Sequence, residues 1–264
     1  EHVAGRRQPV GHKRRRVHHA VARGCVRQDR DELNNREERR SGCLPRVQAE
    51  SDAREEMIRI CRLVWERGFV AATDGNVSVR LQADRLLTTP SGMSKGLLTG
   101  DDLLVTDLDG VPVDSEQTRR GLRPSSEIRM HCAAYRLRPD ICAVVHAHPP
   151  IATACTVAGV SLTEAVLPEV AVNLGGIPTT EYARPSSAQG AEVIRDWIVG
   201  YDALLLDHHG TLTVGRTLLE AYLRLEKVEH AARIVFAARQ LGAVRPLPRG
   251  EAEELLGMHR RGLH

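Results

Sequence analysis

The chain carries 12 histidines in 264 residues, and the ones able to do chemistry lie in two short runs, His146-Ala147-His148 and His208-His209-Gly210. Along a strand alternate side chains share a face, so His146 and His148 point the same way. Two imidazoles set about 7 Å apart at the backbone can converge on one cation, and imidazole is a common ligand for zinc. Either ring could instead be a core histidine satisfied by a backbone carbonyl. A catalytic zinc keeps one position open and needs a third protein ligand. His208 and His209 are the candidates, and their alternating directions let only one of them reach the metal. Glu127 is the carboxylate of interest. At a helix start it could be a buried base with its pKa raised toward neutrality, or simply a partner for the helix dipole. His131 lies one helical turn later, either behind the site or packed in the core. Ser125, Ser126, Asn76, Ser91 and Gly92 supply hydroxyl, amide and backbone N–H donors of the kind that hold a phosphate; the same residues are ordinary in caps and turns.

The elements that must position these groups read from periodicity. Met57, Ile60, Cys61 and Val64 recur at helical spacing after a capping box at Asp52 and Glu55, and Gly68 ends that helix. Strands are expected at Val77 to Leu81, Leu86 to Thr89 and Leu103 to Thr106. A helix from the Pro124-Ser125-Ser126-Glu127 segment to about Arg138 takes Ser125 or Ser126 as its cap. Ile141 to Val145 reads as a buried strand delivering the first histidine pair to the break at Pro149-Pro150. Further helices are expected at 151–158, 187–198 and Thr217 to about Gln240, with strands at Ala203 to Leu206 and Thr211 to Val214. Strands and helices mix without a βαβ rhythm, which fits an α/β or α+β fold and excludes a solenoid.

With 42% hydrophobic and only 3% aromatic residues, the core must be built from Val, Leu, Ile and Ala. The formal charge of +3 is too small to imply a nucleic-acid partner. Residues 1–50 hold 13 Lys and Arg against 7 Asp and Glu, with no apolar periodicity, and are expected to be a basic, disordered extension rather than an RNA-binding or targeting arm. No apolar run approaches the ~18 residues that span a bilayer, so a soluble cytoplasmic protein without membrane partners is expected. None of the six cysteines forms a C-x-x-C pair, and Cys61, Cys132, Cys142 and Cys155 sit among apolar residues as reduced thiols do.

Taken together, G-N-V-S-V-R (Gly75 to Arg80), T-P-S-G (Thr89 to Gly92), P-S-S-E (Pro124 to Glu127), V-H-A-H (Val145 to His148) and H-H-G (His208 to Gly210) occur in an order that resembles the class II aldolase/adducin family, and within it the L-fuculose-phosphate aldolases, over residues 52–240. The resemblance implies a three-layer α/β/α domain with a central, mainly antiparallel sheet across 51–245, and a C-terminal tail at 246–264. It implies homotetramers with active sites between subunits. It makes His146, His148 and His209 ligands of Zn2+, with Mn2+ or Co2+ as alternatives, Glu127 the catalytic acid/base, and Asn76, Ser91, Gly92, Ser125 and Ser126 the phosphate contacts. The implied reaction is reversible cleavage of a ketose 1-phosphate to dihydroxyacetone phosphate and an aldehyde, through a metal-stabilised enediolate. Family alternatives are a 4-epimerase, whose members usually carry Asp where Glu127 stands, a dehydratase or decarboxylase of a sugar phosphate, and a non-catalytic adducin-like protein. The aldolases use two tyrosines on the aldehyde half. Here Glu169 falls in the first of those stretches and no tyrosine follows Tyr222, which leaves Glu169 and Tyr182 as the candidate substrate contacts there.

Overall fold

Alternation along the strands sorts their side chains to two faces, and each face is covered by helices. The computed structural model describes residues 49–113, 118 and 120–263. Its sheet has six strands: β1 (Asn76–Gln82), β2 (Arg85–Thr88), β3 (Leu104–Thr106), β4 (Ala143–Ala147), β5 (Ala203–Leu206) and β6 (Gly210–Gly215). They lie in the order β3-β2-β1-β4-β6-β5, and every neighbouring pair is antiparallel.

Val77, Val79 and Leu81 of β1, with Ala143, Val145 and Ala147 of β4, pack beneath α1 (Glu50–Glu66) and the start of a long helix at Leu218–Leu241. On the other face Leu86, Val144, Leu212 and Val214 pack against α2 (Ile128–Leu137) and two short helices at Ala188–Val193 and Arg195–Ile198. A third apolar cluster joins α3 (Pro150–Ala158), α4 (Pro168–Leu174), β5 and the middle of the long helix. The two short helices are α5 and α6, the long helix is α7, and a terminal helix α8 spans Arg249–Arg261. The three-layer α/β/α arrangement expected from the resemblance is therefore present.

Several local expectations are corrected. Helix α1 starts at Glu50 with Ala49 as N-cap and no side-chain cap, so Asp52 is already inside the first turn and forms no capping box with Glu55. Helix α2 starts at Ile128, with Glu127 in the N-cap position and no side-chain cap. Ser125 instead accepts the Glu127 backbone N–H at 3.3 Å, a turn one step earlier in the chain. The helix expected over 187–198 breaks at Ile194, whose side chain is fully buried. Glu169 falls in α4, which carries Pro168 at its start and a left-handed Gly175 just past its end. The tail contains α8, anchored where His259 Nδ1 donates to the Val172 carbonyl at 2.8 Å. The extension expected at 1–50 lies outside the described residues except for Ala49 and Glu50. Among the described residues no helix is long and apolar enough to cross a membrane, and Cys61, Cys132, Cys142 and Cys155 are free thiols.

Candidate metal centre

The site forms where β4 leaves the sheet. Asn76 and His146 are register partners on neighbouring strands, so both side chains emerge on the α2 face. His148 lies one residue past the end of β4, and the β5–β6 turn brings His209 against it. Two glycines permit this approach. A Cβ at Gly210 would stand 2.5 Å from the Ala147 carbonyl oxygen and 2.7 Å from His148 Cδ2. One at Gly75 would stand 2.9 Å from the His146 carbonyl oxygen, at a φ of +70° that itself favours glycine.

The three imidazoles converge. Their ring centroids are 4.7–4.9 Å apart, and one nitrogen from each lies within 4.8 Å of the others. His146 Nε2 and His148 Nε2 are 3.0 Å apart. Two tetrahedral Zn–N bonds of about 2.0–2.1 Å require a nitrogen separation of about 3.3 Å, so the His146–His148 pair needs little adjustment. Glu127 closes the fourth side, with Oε2 3.1 Å from His146 Nε2 and Oε1 3.3 Å from His209 Nε2. Asn76 Nδ2 donates to Glu127 Oε2 at 3.0 Å.

The tautomers follow from the outer contacts. His146 Nδ1–H donates to the Thr211 carbonyl at 2.8 Å, which leaves its Nε2 lone pair facing His148 and Glu127. Asp74 Oδ2 stands 3.5 Å from His148 Nδ1, on the side of that ring away from the cluster. Burial first, then the neighbouring imidazoles, lowers both His148 and His209 to about 4, so both are neutral and able to coordinate at pH 7. Burial raises the Glu127 carboxyl, as expected from its position. The hydrogen bond and charge that His146 offers when protonated, the charge that His209 offers when protonated, and the Asn76 amide outweigh it, and the net shift is downward. Of the two readings, the one with a raised pKa is not met, and Glu127 is ionised at rest. Lone pairs from three imidazoles and a carboxylate face one another across a space that protons satisfy poorly and one divalent cation satisfies at once.

The remaining sequence candidates divide into two groups. Pro90 bridges to Pro124, and Ser91 N–H donates to the Arg123 carbonyl at 2.8 Å, which sets the Ser91-Gly92 loop beside Ser125 and Ser126. Ser126 Oγ is 2.7 Å from Ser186 Oγ, and Ser186 has a left-handed φ of 59°. His208, also left-handed at a φ of 55°, turns away from the cluster and pairs with Asp207 at 3.0 Å. Tyr182 is exposed, with its ring 6.3 Å from that of His208. Glu169 is exposed in the first turn of α4 and belongs neither to the histidine cluster nor to the hydrogen bonds around it. His131 is buried, its Nδ1 2.7 Å from Ser78 Oγ, and burial together with the charge of His146 pushes it down to about 3. Sequence reasoning missed Asp74, hidden in a D-G turn signal, and Lys95, whose burial no local pattern announces.

Residues 55–236 match the family model described as the class II aldolase and adducin N-terminal domain. The chain belongs to the class II aldolase/adducin family. It is 33% identical over 186 residues to an L-fuculose phosphate aldolase of Methanococcus maripaludis, covering 70% of this chain and 97% of that one. It is 32% identical over 213 residues to the 3-oxo-tetronate 4-phosphate decarboxylase of Escherichia coli K12, covering 79% and 97%. Among solved structures it is similar to YgbL from Escherichia coli, with 31% identity and a TM-score of 0.71 over 79% of this chain and 100% of that one. An L-fuculose 1-phosphate aldolase structure aligns with 30% identity and a TM-score of 0.71 over 80% and 98%.

Proposed function

We propose that the protein is a metal-dependent lyase that breaks a carbon–carbon bond in a small phosphorylated sugar, with His146, His148 and His209 holding the ion and Glu127 handling the proton. The observation that carries this reading is the convergence of one nitrogen from each of the three imidazoles, with His146 Nδ1 turned outward to the Thr211 carbonyl. A divalent ion there, Zn2+ with Mn2+ or Co2+ as alternatives, supplies Lewis acidity to a carbonyl oxygen and so stabilises the charge left when the bond breaks.

The chain's own groups do the rest. The Ser91-Gly92 loop and the Ser125-Ser126 segment, joined through the Pro90–Pro124 bridge, hold the phosphate with hydroxyl and backbone N–H donors. Asn76 fixes one oxygen of Glu127, which leaves the other to face the reacting carbon. Glu127, ionised at rest, removes a proton from carbon in the condensation direction. In cleavage it must first take up a proton and then hand it to carbon, and the proton released by the adjacent hydroxyl as the aldehyde forms balances the exchange. Tyr182 and Glu169 remain candidates for the aldehyde half, and Glu169 could act only by reaching a site completed by another copy of the chain. A homotetramer in the cytoplasm, with active sites between subunits, is the assembly this reading carries.

The first substrate class is a ketose 1-phosphate cleaved to dihydroxyacetone phosphate and an aldehyde. A second reading is decarboxylation of a 3-oxo acid phosphate, favoured by the relative of that name at nearly equal identity over more of the chain. Both reactions leave an electron pair beside a polarised carbonyl, and both end with a proton delivered to carbon. Incubation with L-fuculose 1-phosphate and with 3-oxo-tetronate 4-phosphate, with product analysis, separates them. Dihydroxyacetone phosphate supports the aldolase, carbon dioxide supports the decarboxylase, and turnover that survives metal removal refutes the shared mechanism.

A further inference from the structure

Lys95 is a buried ionisable group that this chemistry leaves unused. It stands just past the Ser91-Gly92 loop and is only 2% exposed. Lysine is almost never buried without a partner, because its ammonium loses hydration that only good hydrogen bonds and a counter-charge replace. The hydrogen bonds are present: Nζ donates to the Thr73 carbonyl at 3.0 Å and to the Met93 carbonyl at 2.7 Å. A counter-charge in direct contact is not. Among the described residues no carboxylate lies within ion-pair distance of Nζ, and Asp74, the acid next along the chain from Thr73, has its carboxylate 3.5 Å from His148. Burial lowers the Lys95 pKa, and the charges of Cys61 and Asp74 oppose that shift.

The two carbonyls belong to different parts of the site. Thr73 lies in the turn that carries Asp74, which orients His148, and leads through Gly75 to Asn76. Met93 follows directly on Ser91 and Gly92. One ammonium therefore ties the turn behind the metal ligands to the loop assigned to the phosphate, and among the described residues no carboxylate pairs with it directly. We propose that Lys95 is a positioning residue that fixes the separation of these two segments, and that the anion completing its charge balance is the phosphate of the substrate. The inference rests on the phosphate reading of the Ser91-Gly92 loop. A phosphate carries about 1.5–2 negative charges at neutral pH, and its attraction to a buried cation is screened by salt far less than an exposed contact would be.

The test is binding of inorganic phosphate to the full chain, by isothermal titration calorimetry in chelator so that no metal offers a competing site. Lys95→Gln keeps a donor for a carbonyl and removes the charge, Lys95→Met fills the volume and removes both, and Ser91→Ala probes the loop independently. The expected result is at least tenfold weaker phosphate binding in Lys95→Gln and Lys95→Met, with melting temperatures in the absence of phosphate equal to or above that of the parent. Lys95→Arg should retain most of the affinity. Parent-like binding in Lys95→Gln together with weakened binding in Ser91→Ala would overturn the role of Lys95 and leave the phosphate loop standing. Absence of phosphate binding by the parent chain would overturn the loop reading and this inference with it. Should Lys95→Met fail to fold, Lys95→Gln alone decides the point.

Discussion

Gly210→Ala is the sharpest perturbation the structure offers, because one methyl group is aimed at the metal site without touching its chemistry. The new Cβ would lie 2.5 Å from the Ala147 carbonyl oxygen and 2.7 Å from His148 Cδ2, whereas ordinary contact begins at 3.4 Å. Either the β5–β6 turn or the end of β4 must move by about 0.9 Å, the difference between the first and last of those distances. The backbone at Gly210 does not require glycine for its φ, so the effect is steric alone. Metal–ligand distances tolerate only about 0.2 Å, and a shift several times larger separates His148 from His209. The expected loss of metal affinity is on the order of 10–100-fold, the range seen when groups that orient ligands are altered. Overpacking should cost about 1–3 kcal/mol of stability in addition. Competition with a chromophoric chelator measures the affinity, and urea unfolding of the metal-free chain measures the stability. Gly68→Ala is the control: its Cβ meets open space at a φ of +67°, so it should lose stability only, with metal affinity unchanged. Parent-like metal affinity in Gly210→Ala would refute the claim that packing of this turn sets the ligand geometry.

Other outcomes follow from the same contacts. Glu127→Gln should keep its metal, because the three imidazoles are untouched, and should lose about 10²–10⁴ in kcat under single-turnover conditions; loss of metal instead would make Glu127 a ligand first and a base second. Metal-free stability should fall with acid. His131 at about 3 and His148 and His209 at about 4 lie below the ordinary 6.5, so between those values the unfolded chain binds protons that the folded chain refuses, and stability is lost as pH falls through the window. His131 alone accounts for on the order of 3 kcal/mol by pH 4.5, and urea midpoints in chelator from pH 7 to pH 4.5 that stay level would contradict the assignment. Glu229→Ala removes a buried carboxylate that accepts the Ala152 N–H at 2.9 Å and the Ile151 N–H at 3.4 Å, at the start of the helix that follows His148. It should destabilise the fold by on the order of 2–5 kcal/mol in chemical denaturation.

The strands and the histidine pair were legible because they obey short-range rules. Val77, Val79 and Leu81 alternate, and His146 and His148 stand at the end of an apolar run before a Pro pair. The choice of His209 over His208 was open from spacing and came from the resemblance. In the structure it has a physical basis, since His208 takes a left-handed φ and turns to Asp207 while His209 stays on the cluster. What depends on distant partners was not legible. Burial alone raises the pKa of Glu127, yet the net direction is set by His146, His209 and Asn76, and Asn76 lies 51 residues away in the chain. Asp74 and Lys95 look like turn residues locally and acquire roles only when β1, β2 and β4 come together. Helix α8 has a polar sequence and is held by a His259 contact to α4 that no periodicity reveals.

The measurement that tests the central claim most directly is metal content and turnover on one preparation. One divalent ion per chain, lost on His146→Ala, together with chelator-sensitive release of dihydroxyacetone phosphate from L-fuculose 1-phosphate, is the result the account predicts. Carbon dioxide from 3-oxo-tetronate 4-phosphate under the same conditions would keep the site and move the substrate. A chain that binds no metal at neutral pH, or that holds metal and cleaves neither compound, would contradict the account.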